Sequence, residues 1–234
     1  MKKEGKLFGV GVGPGDPELI TVKAVRVIKE ADIIFTAAST KNTYSLAVEI
    51  ASPYISVSAK IEKLSFPMTK DVKKVEAAWI HNAKQIAAVL KQGKKAVFLT
   101  LGDPTTYSTF GYILKKMKCI MPEADIETIP GITSFHAASA RLNRILVEGE
   151  ESLLVTSGAY GGDGIRHING VENVAIVKAY KNIQDINKAL KETGLDNKSV
   201  AVSKCGRKKE QIIRDFDELE KRSPDYWTLI LASK

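Results

Sequence analysis

The chain has 234 residues, 44% of them apolar and 26% charged, with a formal net charge of +8. That length holds one large α/β domain or two smaller ones, and no run approaches the roughly 18 apolar residues of a membrane helix. The two cysteines (Cys119, Cys205) and three histidines (His81, His136, His167) are too scattered for a disulfide framework or a metal-ligand set, so neither is expected.

In chain order, apolar strand-like runs alternate with amphipathic helical runs, the pattern of an α/β chain with mostly parallel strands. Residues 6–12 read as the first strand. Residues 17–29 predict a helix, with Asp16 as N-cap and Pro17 at its first position. Residues 32–35 form a second short strand and residues 43–51 a helix. The longest helix is expected over residues 72–91, with Val75, Trp79, Ile86 and Val89 among its apolar positions. A strand at 95–101, a helix at 106–118, a strand at 126–129 and a small-residue helix ending near Leu142 follow. In the second half, residues 152–156, 174–178, 199–203 and 226–232 read as strands. Residues 182–192 form the clearest helix between them, ended by Gly194, and residues 160–164 a flexible loop. A boundary near Gly131 divides the chain into domains at 1–131 and 132–234.

The charged start has no apolar stretch with a small-residue cleavage site, so a cytoplasmic protein without a signal peptide is expected. The positive balance favours anionic partners such as nucleic acid, anionic lipid or a polycarboxylate substrate. Lys70, Lys73, Lys74, Lys91, Lys94 and Lys95, however, spread over expected helix surfaces rather than forming a stripe.

Three turn-rich corners carry the chemistry. The first, Gly9-Val10-Gly11-Val12-Gly13-Pro14-Gly15-Asp16-Pro17, invites a dinucleotide reading, but the Gly-x-Gly-x-x-Gly spacing fails. The third position is Pro14 counted from Gly9 and Asp16 counted from Gly11. The prolines also remove backbone donors that a pyrophosphate needs. No Gly-Lys-Ser/Thr follows a glycine loop, which excludes a Walker A site. The second corner is Leu101-Gly102-Asp103-Pro104-Thr105-Thr106-Tyr107-Ser108-Thr109 and the third Pro130-Gly131-Ile132-Thr133-Ser134. Turns at the carboxyl ends of parallel strands converge where open α/β sheets bind ligands. Backbone groups at Gly102 and hydroxyls at Thr106, Thr133 and Ser134 suit a small ligand with a hydroxyl-rich end and an amino-acid end.

These corners resemble those of the tetrapyrrole (corrin and sirohaem) methylases, which use S-adenosyl-L-methionine. The family's marks are a Gly-x-Gly-Pro-Gly-Asp-Pro strand end, a Gly-Asp-Pro loop and Pro-Gly-Ile/Val-Thr/Ser-Ser; here they fall within residues 11–21, 102–104 and 130–134. Within the family, Ser65-Phe66-Pro67-Met68-Thr69-Lys70-Asp71, residues 99–109 and Ala138-Ser139-Ala140-Arg141-Leu142 with Glu148-Gly149-Glu150-Glu151 resemble the precorrin-2/cobalt-factor II carbon-20 methyltransferases. The resemblance implies two α/β domains with S-adenosyl-L-methionine in the cleft between them, a homodimer, and a carbon methylation in cobalamin biosynthesis that releases S-adenosyl-L-homocysteine. By motif position it implies cofactor contacts at Pro14, Leu101, Gly102, Asp103, Thr106, Thr133 and Ser134. In the second domain it implies contacts at Ala179, Cys205 and Gly206.

No catalytic residue is assigned. Asp103 suits holding the loop or cofactor better than proton abstraction, and His136 is expected in the core of its small-residue helix. Tyr107 and Ser108 are candidates for the substrate side. Arg141, Arg144 and Arg166 are candidates for the tetrapyrrole's acetate and propionate groups, because an arginine fork matches a carboxylate. The alternatives are a same-fold methylase of another corrin position, of ribosomal RNA or of a modified protein histidine, and a non-enzymatic basic nucleic-acid-binding protein. No basic stripe interleaved with aromatics supports a nucleic-acid partner.

Overall fold

A computed structural model describes residues 4–38, 45–168, 170–221 and 225–234. It divides into two compact units, Met1–Thr133 and Ser134–Lys234.

The first unit contains β1 (Lys6–Gly11), α1 (Val22–Lys29), β2 (Ile33–Ala38), α2 (Leu46–Ala51), β3 (Lys60–Ser65), α3 (Val72–Leu90), β4 (Lys95–Thr100), α4 (Phe110–Ile120) and β5 (Asp125–Ile129). All five strands are parallel, in the order β3-β2-β4-β1-β5. The three inner strands are covered on both faces and therefore read as nearly unbroken apolar runs. β3 lies at an edge, where only Leu64 of Lys-Ile-Glu-Lys-Leu-Ser is buried. That polar edge composition is why no strand is legible there in the sequence.

The core packs Phe35, Phe66, Phe98, Phe110, Ile86, Leu90, Ile113 and Met117 between the sheet and helices α3 and α4. Phe66 meets Phe98 edge-on, with ring centroids 6.2 Å apart, and Phe98 meets Phe110 at 5.8 Å. Burying each such ring contributes about 1.5–3 kcal/mol. The Phe110 ring presses directly on β1: a Cβ on Gly9 would lie 2.2 Å from its Cζ. The first glycine of the first corner thus serves packing, not a ligand.

Two helix starts differ from expectation. Residues 17–29 split into a 3₁₀ turn, Pro17–Leu19, and α1. Asp16 caps only the turn, accepting from Glu18 N at 2.9 Å, while Thr21 caps α1 through Ala24 N at 3.3 Å. A second good capping residue five positions on restarts the helix. The helix expected from residue 106 begins instead at Phe110, because Tyr107 has φ +50° and Ser108 Oγ accepts from Phe110 N at 3.1 Å. Of the helix expected over 43–51, Leu46–Ala51 is present, and positions 43 and 44 lie outside the described residues.

The second unit contains α5 (Ser134–Leu142), β6 (Leu153–Ser157), α6 (Asp163–Arg166), β7 (Asn173–Val177), α7 (Ile183–Glu192), β8 (Val200–Ser203), β9 (Gln211–Ile213), α8 (Phe216–Lys221) and β10 (Thr228–Ser233). Its sheet order is β6-β7-β10-β8-β9. Only β6 and β7 are parallel; β10 runs antiparallel to both of its neighbours, and β9 to β8. The expectation of mostly parallel strands therefore fails here, since a final strand can enter between two others in the reverse direction. The loop expected at 160–164 is partly ordered as α6. Arg166 binds Asp163, Asp185 and Glu192 there, tying α6 to α7.

Candidate functional site

β1 lies between β4 and β5, so the turns leaving their carboxyl ends emerge side by side. Beyond the strands, Gly13 N donates to Gly102 O at 3.3 Å and Gly102 N to Gly13 O at 2.7 Å. That two-bond bridge fastens the first corner to the second. The third corner is packed equally tightly. A Cβ on Gly11 would lie 2.5 Å from Gly102 O and 2.7 Å from Gly131 N, and one on Gly131 would lie 2.3 Å from Gly102 O. Three backbones meet here with no room for a side chain.

Asp103, 8% exposed, locks this arrangement. Its Oδ2 accepts from Gly131 N at 3.0 Å, and its Oδ1 accepts from Thr105 N at 2.7 Å and from the Thr105 hydroxyl. With both oxygens so engaged, the carboxylate is a clamp between two corners, a structural role its three bonds account for. Thr105 is the partner that sequence reading passes over, although an Asp followed two residues later by a donor is the mark of such a turn. Gly102 itself has φ +67°, and the space where its Cβ would stand is open, the nearest atom being Ile132 O at 3.9 Å. A ligand can approach the backbone at this point.

Around this platform, Pro14 is buried, while Leu101, Thr106 and Thr133 are half-buried. Thr106 N reaches Asp103 O at 3.5 Å, and Ser134 begins α5 in the second unit. Ser108 is occupied within the fold: its Oγ bonds Thr100 Oγ1 at 2.8 Å and accepts from Phe110 N at 3.1 Å. Tyr107 stands half out of the surface on its left-handed backbone.

In the second unit, Ala179, Cys205 and Gly206 follow the carboxyl ends of β7 and β8, on either side of the start of β10. Ala179 N donates to Thr228 O at 2.9 Å and Lys204 N to Trp227 O at 3.2 Å, which draws the two turns together. Lys178 (φ +58°) and Lys204 (φ +54°) both stand in the left-handed region at the first position past their strands. Burial pushes the Cys205 thiol up to about 11, so it is a neutral thiol at neutral pH. Beside it, Glu210 accepts from Gly206 N at 2.8 Å and from Arg141 Nε at 2.7 Å. Burial works to raise the Glu210 carboxyl, but these two bonds outweigh it and hold the group below its ordinary range.

Two of the three candidate arginines are spent on contacts within the fold. Arg144 donates to Lys198 O at 2.7 Å, Leu231 O at 3.2 Å and Ser233 Oγ at 2.8 Å, and Arg166 serves the α6–α7 network. Arg141 keeps an exposed side chain beside Glu210. His136 is exposed rather than in the core, because Phe135, Ala137, Ala138 and Ser139 take the buried positions of α5. Among the described residues, no cluster of His, Cys, Asp and Glu is placed to hold a metal ion.

Residues 6–219 match the family model of the Tetrapyrrole (Corrin/Porphyrin) Methylases. The chain is 39% identical over 180 residues to the probable cobalt-precorrin-2 C(20)-methyltransferase of Methanocaldococcus jannaschii, covering 77% of this chain and 74% of that one. It is 32% identical over 232 residues to the cobalt-precorrin-2 C(20)-methyltransferase of Salmonella typhimurium, covering 98% and 97%. In fold it is similar to the uroporphyrin-III C-methyl transferase of Thermus thermophilus, solved in complex with S-adenosyl homocysteine. That likeness has a TM-score of 0.67 at 21% identity, over 98% of both chains.

Proposed function

The chain belongs to the tetrapyrrole (corrin/porphyrin) methylases, and from that premise we propose that it methylates carbon 20 of cobalt-precorrin-2 in cobalamin biosynthesis, with S-adenosyl-L-methionine as donor. The observation that carries the reading is the similarity to the Salmonella enzyme of that name along 98% of this chain and 97% of that one. A methylase of another corrin position or of ribosomal RNA is the weaker reading, because the Methanocaldococcus and Salmonella relatives are both named for carbon 20.

The residues present fit this cofactor. The Gly102 backbone is open on the side where a Cβ would stand, and Asp103 and the Gly13–Gly102 bridge hold it still. We assign the cofactor contacts to Pro14, Leu101, Gly102, Asp103, Thr106, Thr133 and Ser134, and in the second unit to Ala179, Cys205 and Gly206. Asp103 and Cys205 contribute through their backbones, since the one carboxylate clamps Gly131 and Thr105 and the other side chain is a buried neutral thiol. When bound, S-adenosyl-L-methionine supplies an electrophilic methyl whose departure leaves the neutral thioether of S-adenosyl-L-homocysteine. The chain's part is then alignment and exclusion of water, which together account for large rate factors without a nucleophilic side chain. Tyr107 and Arg141 are the substrate-side residues of this reading, and Ser108 supports them by fixing the start of α4. The enzyme is taken to work in the cytoplasm as a homodimer on a small-molecule tetrapyrrole, with no nucleic acid or membrane as partner; among the described residues no helix is long and apolar enough to cross a membrane.

Calorimetric titration with S-adenosyl-L-homocysteine tests the cofactor site. Saturable binding of one molecule per chain is expected, and Gly102→Val abolishes it by filling the open side of the loop in a backbone conformation valine avoids. Absence of binding to the wild-type protein contradicts the reading.

A further inference from the structure

The stretch between β3 and α3, Phe66-Pro67-Met68-Thr69-Lys70-Asp71, has no part in the site described so far. All five strands of the first unit are parallel, so it leaves the sheet at the same edge as the three corners. β3 stands two strands from β4, so this turn starts about 10 Å from the start of the Gly102 corner at ordinary strand spacing.

Both ends of the turn are pinned. Phe66 is buried edge-on to Phe98, and its N donates to Ala38 O at 2.9 Å. The buried Asn82 amide donates to Ser65 O at 2.8 Å. At the far end Asp71 Oδ1 accepts from Lys74 N at 3.1 Å, and Asp71 N donates to Thr69 Oγ1 at 3.2 Å. Between these anchors Met68 is 65% exposed, and Val72, which opens α3, is 74% exposed.

Four exposed lysines, Lys63, Lys70, Lys73 and Lys74, lie along the same stretch. Its acids are committed to other partners: Glu62 pairs with Lys60, Glu76 with Lys116, and Asp71 caps α3. Lys73 and Lys74 stand in the first turn of α3, where no acid offsets them and the helix dipole disfavours a cation. Helix stability therefore does not account for them. The strip combines exposed apolar side chains with uncompensated positive charge, which suits a ligand with a flat apolar body and carboxylate arms.

We infer that this strip is a docking surface for the tetrapyrrole: Met68 and Val72 lie against the macrocycle, and Lys70, Lys73 and Lys74 take its acetate and propionate groups. The inference rests on the methyltransferase reading for its ligand. Charge complementarity favours that occupant over a second copy of this chain, whose own net charge of +8 opposes a lysine strip.

The test compares wild-type protein with Lys73→Glu/Lys74→Glu and with Met68→Gln in anaerobic turnover of cobalt-precorrin-2, and measures S-adenosyl-L-homocysteine binding in each. Charge reversal is expected to raise the KM for cobalt-precorrin-2 about tenfold, and Met68→Gln about threefold, with S-adenosyl-L-homocysteine affinity retained in both. The wild-type KM rises with salt, and that dependence flattens in the charge-reversed variant. Its melting temperature holds or rises, because acids suit a helix start. Should it fail to fold, Lys73→Gln/Lys74→Gln replaces it, with a smaller rise in KM expected. An unchanged KM in either the lysine variant or Met68→Gln overturns the assignment, as does a rise matched by an equal loss of S-adenosyl-L-homocysteine affinity. A change in sedimentation mass on charge reversal, with KM unchanged, overturns it in favour of a contact between copies. Flotation of the wild type with phosphatidylserine vesicles, lost on charge reversal with KM unchanged, overturns it in favour of an anionic lipid surface. Wild-type protein that binds S-adenosyl-L-homocysteine but methylates no tetrapyrrole defeats the methyltransferase reading itself, which is a separate result.

Discussion

Asp103 sets the character of the candidate site at the scale of a single side chain. Its carboxylate joins the second corner to the third through Gly131 N and holds its own loop through Thr105. Asp103→Asn keeps the shape but turns an amide NH₂ toward one of these donors. We expect a loss of about 1–3 kcal/mol in denaturant unfolding, together with weaker binding of S-adenosyl-L-homocysteine. An unchanged unfolding midpoint would remove the clamp from the account. Cysteine reactivity gives an independent check. Cys205 is buried and its thiol is pushed up to about 11, whereas Cys119 is exposed. At pH 8 about one Cys205 in a thousand is thiolate, so a thiol reagent should modify one equivalent quickly, at Cys119, and the second only on unfolding. Fast reaction of both would contradict the burial of the β8 turn.

At the scale of elements, periodicity and turn chemistry made legible the strands whose faces are both covered, and the three corners that follow β1, β4 and β5. What they left hidden has physical causes. β3 breaks the polar/apolar alternation at Glu62-Lys63 and buries only Leu64 because it is an edge, and β9 is only Gln211–Ile213. Phe110 opens α4 four residues late because Tyr107 is left-handed and the Ser108 hydroxyl holds the turn through Phe110 N, a start the hydroxyl run Thr105, Thr106, Ser108 and Thr109 leaves ambiguous. The site was legible as motifs, but not the division of labour inside them: Gly9 serves the Phe110 ring, Gly11 and Gly131 let three backbones meet, and Gly102 leaves its Cβ side open. One ion-pair cluster links these elements. Lys23 of α1 and Lys6 of β1 both bond Glu127 of β5, and they hold its carboxyl at about 2, below the ordinary 4.5. A carboxyl lowered by folding contributes stability above its unfolded value and loses it as pH falls through the folded one. The melting-temperature gap between wild type and Glu127→Gln should therefore be constant above about pH 5 and close between about pH 4.5 and 2. The cluster is largely exposed, so the gap should be small and shrink in high salt. A gap that widens on acidification would contradict the pairing.

At the scale of the whole molecule, charge and fold lead to the same substrate class. A surplus of eight positive charges suits a ligand bearing several carboxylates, and the proposed chemistry needs orientation more than reactive side chains. Within the second unit the fold spends Arg144 on backbone carbonyls and Arg166 on the α6–α7 ion pairs, and keeps Arg141 and Arg207 in the turn region near Glu210 and Trp227. The central claim is a methylation at one carbon of one tetrapyrrole. The most direct test is an anaerobic turnover with ¹³C-methyl-labelled S-adenosyl-L-methionine, offering cobalt-precorrin-2 and metal-free precorrin-2 side by side, with the product read by mass and carbon NMR. A single added methyl at carbon 20, formed faster on the cobalt compound, is the expected result. Label at another carbon, or no transfer to either tetrapyrrole by protein that binds the cofactor, would contradict it.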